Sequence, residues 1–471
     1  MFGLDTSYTL LLLICLLAAA AFEFINGFHD TANAVATVIY THSLKPTTAV
    51  IWSGLWNFIG VNVGGIAVAM GIVNLLPMEM LIDQNLLHNI AMIAALIVTA
   101  IVWNLATWYI GIPCSSSHTL LGSIFGVGLA FMLLPGSHAV ALNWQKVIDV
   151  GLSLLVSPLF GFGFALLLMY ILRRTVKNKL IFKEPPAKKA PPIWIRSILI
   201  LTCTSVSYAH GSNDGQKGVG LIMLILIGFA PTFFAIDRSK SAVDLLSETK
   251  KIEWTLKKID TSYLSAENKI NHKIVIEDLD LIKAELTGIN SFDELDKSVN
   301  FKIRKAILSV SKKSEGIVKN LAGSSTTLLT PAVRSVLTSN LKKFKSNTEY
   351  SPRWVILLVS ISLGLGTMIG WKRIVVTIGE KIGKTHLTYA QGASAEIVAA
   401  STIGVSTMFG LPVSTTHVLS SGIAGAMVAG GGRQNLRMGT VKSIMIAWLI
   451  TLPVTVVFSG LLFFILRMIF K

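Results

Sequence analysis

Only ten acidic residues lie outside the charged stretch 237–353, and four of them, Glu23, Asp30, Asp214 and Glu396, fall within or at breaks in apolar segments. An ionisable side chain at membrane depth costs about 2.5–3.5 kcal/mol or more, which makes each a functional candidate; for one taken alone, a structural hydrogen bond or a snorkelling helix end is the alternative. Asp30 and Asn33 stand three residues apart, on one face of a helix, and Asp214 and Lys217 repeat that spacing. Two further stretches set small hydroxyl residues just after a proline: Ser115, Ser116 and Ser117 after Pro113, and Ser414, Thr415 and Thr416 after Pro412. At a helix start such residues offer hydroxyls and unpaired backbone N–H groups, with the positive end of the helix dipole behind them, which is the chemistry of an oxyanion site. A plain N-cap is the alternative for either run taken singly. Carboxylates beside an anion repel it, so either a crowded acid takes up a proton or a cation binds alongside. The pattern implies an anion bound together with a cation, with Lys217 offsetting one negative charge. His118 and His417 follow the two hydroxyl runs and are read as capping or packing residues. Neither the nine histidines nor the three cysteines have metal-ligand spacing, so no metal cage, disulfide or cofactor is expected.

These elements occur twice. The stretch 111–130 aligns without a gap on 410–429, matching Gly111, Pro113, Ser115, His118, Leu120 and Gly126 with Gly410, Pro412, Ser414, His417, Leu419 and Gly425. More weakly, 26–35 pairs with 211–220 when Asp30 is superposed on Asp214, a register shifted by one residue from the ends of the two stretches. The second copy has 115 more residues between its two motifs than the first, almost the 117 residues of the charged stretch 237–353. The second half therefore reads as a copy of the first with a soluble insertion. Gly111-Ile112-Pro113 and Gly410-Leu411-Pro412 interrupt apolar segments, as do Asn26-Gly27 and Gly211, and these are read as helix breaks. Interrupted helices survive in a membrane where they line a cavity or bind something, and paired interruptions point to transporter architecture.

The chain as a whole fits that setting. Of 471 residues 52% are hydrophobic and 14% charged, mean hydropathy is +0.65, and apolar runs long enough to cross a bilayer recur along most of its length. This excludes a soluble globular enzyme and gives an all-α polytopic membrane protein. Residues 237–353 carry a net charge of +6 and the short stretch 173–196 a net charge of +7, leaving +3 elsewhere. The basic loop 173–196 reports the positive-inside rule and faces the cytoplasm, so lipid, and no nucleic acid, is the partner implied by the high pI. Asp5 and the absence of a basic lead make 7–25 a retained first helix with its start outside. The organisation is 1–172, a first transmembrane repeat; 173–196, a basic cytoplasmic linker; 197–236, the first part of a second repeat; 237–353, the soluble insertion; and 354–471, the rest of the second repeat. Helical apolar spacing at 241–260 and 297–320 makes the insertion a small helical bundle, with a partly disordered linker as the alternative.

The stretches 26–41, 211–222, 111–124 and 410–425 together resemble the inorganic phosphate transporter (Pit) family. The resemblance covers essentially all of the membrane portion. It implies two inverted repeats with broken or re-entrant helices, about 10–12 transmembrane segments, and phosphate bound near the midplane. Carried over by motif, the phosphate-binding residues are Asp30, Asn33, Ser115, Ser116, Asp214, Ser414 and Thr415, with Lys217, Ser117 and Thr416 accessory and Asp30, Asp214, Glu396 and Glu23 in the coupling role. Sodium-coupled members have Asn-Asp-Val-Ala-Asn where this chain has Asn213-Asp214-Gly215-Gln216-Lys217, a form that is similar to the bacterial proton-coupled branch. A low-affinity phosphate:proton symporter of the bacterial inner membrane follows, one that also carries neutral complexes of a divalent metal such as magnesium with hydrogen phosphate. The family suggests a homodimer and a cytoplasmic insertion; the segments 195–210 and 214–236 must then form a full pair or a re-entrant hairpin. A sodium-coupled symporter and a phosphate sensor signalling through 237–353 are the other readings. An enzyme acting on a phosphorylated lipid would need basic residues beside the hydroxyl runs, and none is there.

Overall fold

A computed structural model describes residues 2–76, 80, 86–135, 142, 144–186, 189–323 and 331–470. Among these there is no strand, and the chain forms two compact units, one of Asp5–Phe229 with Ser351–Lys471, the other of Met1–Leu4 with Ala230–Tyr350.

The larger unit begins with α1 (Thr6–Tyr40), whose first turn is capped by the Asp5 carboxylate accepting from Tyr8 N at 2.9 Å. It continues through α2 (Pro46–Val63), α3 (Ala67–Val73), α4 (Leu86–Ile110), α5 (Ser116–Met132), α6 (Trp144–Thr175) and α7 (Ile193–Phe229). Helices α1, α4, α6 and α17 (the last introduced below) are each long and apolar enough to span a membrane, and two bent pairs pass the same test together. The first pair is α2 with α3, bent by 72°. The shorter α5, and α7 with Asn213, Asp214, Gln216 and Lys217 in its middle, do not pass. Among the described residues, four helices, or six elements if each bent pair counts as one, are long and apolar enough to span, with shorter or more polar helices between them.

Two of the four expected breaks are absent. Helix α1 runs unbroken through Asn26-Gly27, and α7 runs unbroken through Gly211, about 55 Å at 1.5 Å per residue. Neither a pair of crossings nor a hairpin therefore occupies 195–236. Both glycines serve close packing instead: a Cβ on Gly27 would fall 2.6 Å from Thr367 N, and one on Gly211 2.1 Å from Asn57 O. Helices in an apolar surround associate by such small-residue contacts rather than by hydrophobic burial. The other two breaks are real. Gly111 and Gly410 have φ of +75° and +65°, which lets the chain turn before α5 and its later counterpart begin.

The smaller unit contains α8 (Pro231–Phe234), α9 (Ala242–Lys257), α10 (Ala266–Leu286), α11 (Lys297–Gly323) and α12 (Pro331–Lys345). It starts at Ala230, ahead of the 237 at which charge sets in. Leu245, Ile252, Val275, Leu279, Ile303, Ile307, Leu337 and Phe344 form its core. At the edge of that core Arg304 is 1% exposed and donates to the carbonyls of Ala235 (2.8 Å) and Thr348 (3.0 Å), closing the two ends of the unit on each other. Burial lowers its guanidinium to about 10, still charged at neutral pH.

The larger unit resumes with α13 (Arg353–Ile369) and α14 (Lys372–Val376), the latter leading into a π-turn Thr377–Lys381 and bent by 57° from α13. Then come α15 (Tyr389–Met408), α16 (Thr415–Gly431) and α17 (Met438–Ile469). Helix α5 packs against α17, and α16 against α6. Each hydroxyl-led helix therefore lies on the helix that follows the other one, and both partner helices carry an internal proline, Pro453 and Pro158.

Arg304→Ala strips both carbonyls of their donor and opens a cavity, a loss on the order of 3 kcal/mol. Thermolysin added to the intact protein is expected to cut within 230–350 in the variant at protease levels the wild type resists. Equal protection would refute this clamp.

Candidate functional site

Long stretches of α1 and α7, Ile25–Val38 and Ala209–Phe229, are buried without interruption. Their polar residues therefore face other helices rather than lipid. Asp30 on α1 and Asp214 on α7 lie near enough to interact electrostatically.

Lys217, one turn after Asp214, is 2% exposed, as is its partner, and its ammonium donates to Asp214 Oδ1, to Ser117 Oγ and to Val413 O, the last at 2.9 Å. Ser117 Oγ in turn donates to Val413 O at 2.8 Å. A carboxylate, a hydroxyl and a carbonyl from α7, α5 and the loop before α16 thus form an oxygen cage around one fixed cation. Thr415 Oγ1 donates to the other Asp214 oxygen at 2.9 Å. Across the site, Asn33 Nδ2 donates to Thr416 Oγ1 at 3.1 Å. By the internal alignment Asn33 corresponds to Lys217 and Thr416 to Ser117, so the two contacts are counterparts, each joining one copy to the other. On the Asn33 side no cation is built in. Asp30 Oδ2 and Asn33 Oδ1 are buried with no hydrogen-bond donor.

The hydroxyl runs begin helices as their spacing indicates. Ser115 and Ser414 are the N-caps of α5 and α16, each accepting from the N–H three residues on, His118 and His417, at 3.2 Å. The first N–H groups of both helices stay available beyond these caps, as an anion site requires. His118 Nδ1 also bonds Ser115 Oγ at 2.8 Å, the two imidazoles lie 4.5 Å apart between centroids, and His417 stacks on Trp448 at 4.0 Å. The histidines are thus a packed pair that brings the two helix starts together.

Glu23 joins this cluster. It is fully buried, its carboxyl lies against Gly218 on α7, and it interacts electrostatically with Asp214 and Lys217. Glu396 does not. Its carboxylate accepts from Thr202 Oγ1, three turns before Asp214 on α7, and lies near Thr37, two turns past Asp30 on α1. Asp30, Asn33, Ser115, Ser116, Ser117, Asp214, Lys217, Ser414, Thr415 and Thr416 are brought together, while Glu396 stands apart.

Two contributors escape a motif reading. Asn213 donates to Thr407 Oγ1 (2.9 Å) and Leu411 O (3.3 Å), pinning the Gly410–Pro412 loop. Gln216 accepts from Val68 N and donates to Gly64 O, both at 2.7 Å, clasping the α2–α3 bend. The available signal was position alone: both flank Asp214 within the polar run of α7.

Fold and site together define an all-helical membrane protein whose buried polar centre is assembled from two copies of one motif pair. The chain matches the model of the phosphate transporter family over residues 26–459 and belongs to that family; it is a family of transporters, not enzymes. It is 42% identical to the low-affinity inorganic phosphate transporter PitA of Escherichia coli (strain K12), covering 98% of both chains. It is 41% identical to the low-affinity inorganic phosphate transporter of Buchnera aphidicola subsp. Acyrthosiphon pisum (strain APS), over 98% of this chain and 97% of that one. Among solved structures, the sodium-dependent phosphate transporter shares the fold with a TM-score of 0.55 at 21% identity, over 98% of this chain and 99% of the other.

Removing one partner of a buried ion pair leaves the other charge uncompensated, typically at about 3–5 kcal/mol, whereas removing both costs far less. Lys217→Met should therefore lower the melting temperature of the purified protein more than Asp214→Asn and Lys217→Met combined. The reverse order would mean that the ammonium does not neutralise Asp214.

Proposed function

We propose that this chain is a low-affinity inorganic phosphate:proton symporter of a bacterial inner membrane, working by alternating access between two inverted copies, and that it also carries neutral divalent metal–hydrogen phosphate complexes. Phosphate oxygens are held by Ser115, Ser116, Ser414 and Thr415 and by the free N–H groups at the starts of α5 and α16, with Asp30, Asn33 and Asp214 completing the site. Ser117, Thr416 and Lys217 are accessory.

Support for protons comes from the oxygen cage around Lys217. Asp214 Oδ1, Ser117 Oγ and Val413 O are the kinds of ligand a sodium ion takes, and here a covalently tethered ammonium holds them. Lys217 neutralises Asp214, which leaves Asp30 and Glu23 as the carboxyls that repel an incoming phosphate. A proton on Asp30 removes that repulsion and turns its unpartnered carboxylate into a group that can donate to a phosphate oxygen. Phosphate and proton then enter together because each lowers the electrostatic cost of the other. Glu396, reached through Thr37 and Thr202, serves as an outlying proton acceptor and Glu23 as a nearer one.

A sodium-coupled reading has one observation in its favour. The buried oxygens Asp30 Oδ2 and Asn33 Oδ1 lack donors and form half of a cation cage on the side without a lysine.

Radiolabelled phosphate uptake into proteoliposomes, driven by an inward proton or an inward sodium gradient with and without magnesium, separates the readings. Uptake on protons alone supports proton coupling, and a further rise with magnesium supports metal phosphate as cargo. Sodium dependence would overturn the coupling while keeping the site, and binding without uptake would point to a sensor.

Two variants sharpen the test. Asp30→Asn should abolish net uptake, whereas Ser117→Ala, which leaves Lys217 its other two partners, should reduce it only partially; wild-type uptake by the Asp30 variant sinks the coupling role. Lys217→Asn empties the oxygen cage and should make uptake respond to sodium, and a variant as indifferent to sodium as the wild type would remove the cage argument.

A further inference from the structure

The bend between α13 and α14 lies against the break between α4 and α5, and a cavity of about 490 Å³ opens there, lined by Trp108, Gly111, Lys372, Arg373, Thr377 and Lys381. Three cations border it. Glu380, the neighbouring acid, is not among the lining residues. Among the described residues none of the three cations forms an ion pair.

The walls are fixed in place. Arg373 donates to Tyr109 O at 2.7 Å and lies 5.0 Å above the Tyr109 ring and 5.4 Å from that of Trp108. Trp108 Nε1 is in turn held by Gly370 O at 2.7 Å. Tyr109, Ile110 and Ile369 stand 63–68% exposed around the opening. The floor is a 2.8 Å hydrogen bond from Thr377 Oγ1 to Gly111 O, four residues before the Ser115 cap.

The other copy provides an internal control. There Gly410 lies against Ala67 at the α2–α3 bend, the same juxtaposition of a glycine break and a bent pair, yet residues 60–76 contain no lysine or arginine. The basic lining is therefore not part of the shared framework but an addition to one end of it. It is the end at which Gly379 packs on Tyr40 and Arg196 Nε donates to Ser43 O at 2.8 Å, next to the basic stretch 173–196.

We propose that this cavity binds the phosphate group of an anionic lipid from the adjoining leaflet, with Lys372, Arg373 and Lys381 on the phosphate oxygens and the Tyr109–Ile110–Ile369 rim against the acyl chains. Basic recesses between spanning helices take up lipid headgroups by this combination of charge and apolar rim, and the volume lies within the usual range of small-ligand sites. Free phosphate offers the same oxyanion without the chains. Because the floor of the cavity is the carbonyl that sets the start of α5, an occupant also steadies the helix whose first turn faces the central polar site.

The test is native mass spectrometry of the delipidated full chain titrated with dioleoylphosphatidylglycerol or dioleoylphosphatidylcholine. Wild type is expected to retain phosphatidylglycerol about tenfold more strongly than the Lys372→Gln, Lys381→Gln double variant, with phosphatidylcholine retention equal in both. Both lysines are exposed, so the fold should be kept, and an unchanged melting temperature verifies it. A second double variant, Lys177→Gln with Lys179→Gln, removes two exposed charges in the basic stretch 173–196, outside the cavity, and should leave phosphatidylglycerol retention as in wild type. If it falls equally, the attraction is general surface charge and the site is refuted. Retention unaffected by the first variant refutes it as well. Millimolar inorganic phosphate displacing the lipid from wild type would identify free phosphate as a competing occupant of the same oxyanion site, and no displacement identifies the lipid as the occupant.

Discussion

An ammonium group enclosed in an apolar helical body is stable only where oxygens replace its hydration, so the position of Lys217 constrains three elements at once. Its partners come from α7 itself, from the first turn of α5 and from the carbonyl of Val413 just before α16. Each of these must be fixed for the charge to be tolerated. Asn213 holds the loop that carries Val413, and Ser117 is positioned because Ser115 caps its helix. The Gly111 and Gly410 turns exist so that two helices can begin inside the protein with hydroxyls and N–H groups directed at that centre.

Neither copy completes this arrangement alone. Asn33 of the first copy bonds Thr416 of the second, and Lys217 of the second bonds Ser117 of the first. Gly111 lies on the α13–α14 bend, and Gly410 on the α2–α3 bend. Helix α5 is laid on α17, and α16 on α6. The exchange makes the centre a property of the pair. A shift of one copy against the other changes its geometry from both sides, which is the mechanical requirement for a site open alternately in two directions.

Much of this could be read in the sequence, for a physical reason. A proline followed by hydroxyl residues has few uses inside an apolar segment other than starting a helix, and Asp30 and Asp214 are too costly at membrane depth to be incidental. Glycine carries no such message. Gly111 and Gly410 end helices, whereas Gly27 and Gly211 let neighbouring backbones approach, and the same letter in similar surroundings serves both purposes. The choice rests with partners far along the chain, Thr367 for Gly27 and Asn57 for Gly211. The position of Glu396 was not legible for the same kind of reason: burial and charge mark a carboxyl as important, but only the packing of α15 on α7 sets it beside Thr202. Gln216 and Asn213 act on loops that are distant in sequence and carry no local pattern of their own.

The differences between the copies carry as much meaning as the likeness. Where the two copies correspond, the side chains diverge in charge: Asn33 against Lys217, and the uncharged α3 against the basic α14. A strictly symmetric centre would hold its anion between equivalent halves and give the two sides of the membrane the same electrostatics. Here a fixed positive charge pairs with one aspartate, and unpaired acceptors remain beside the other. Adding basic residues at one end alone distinguishes the two faces to an approaching phosphate group. Duplication supplies the two matching helix starts, and departure from it supplies a direction.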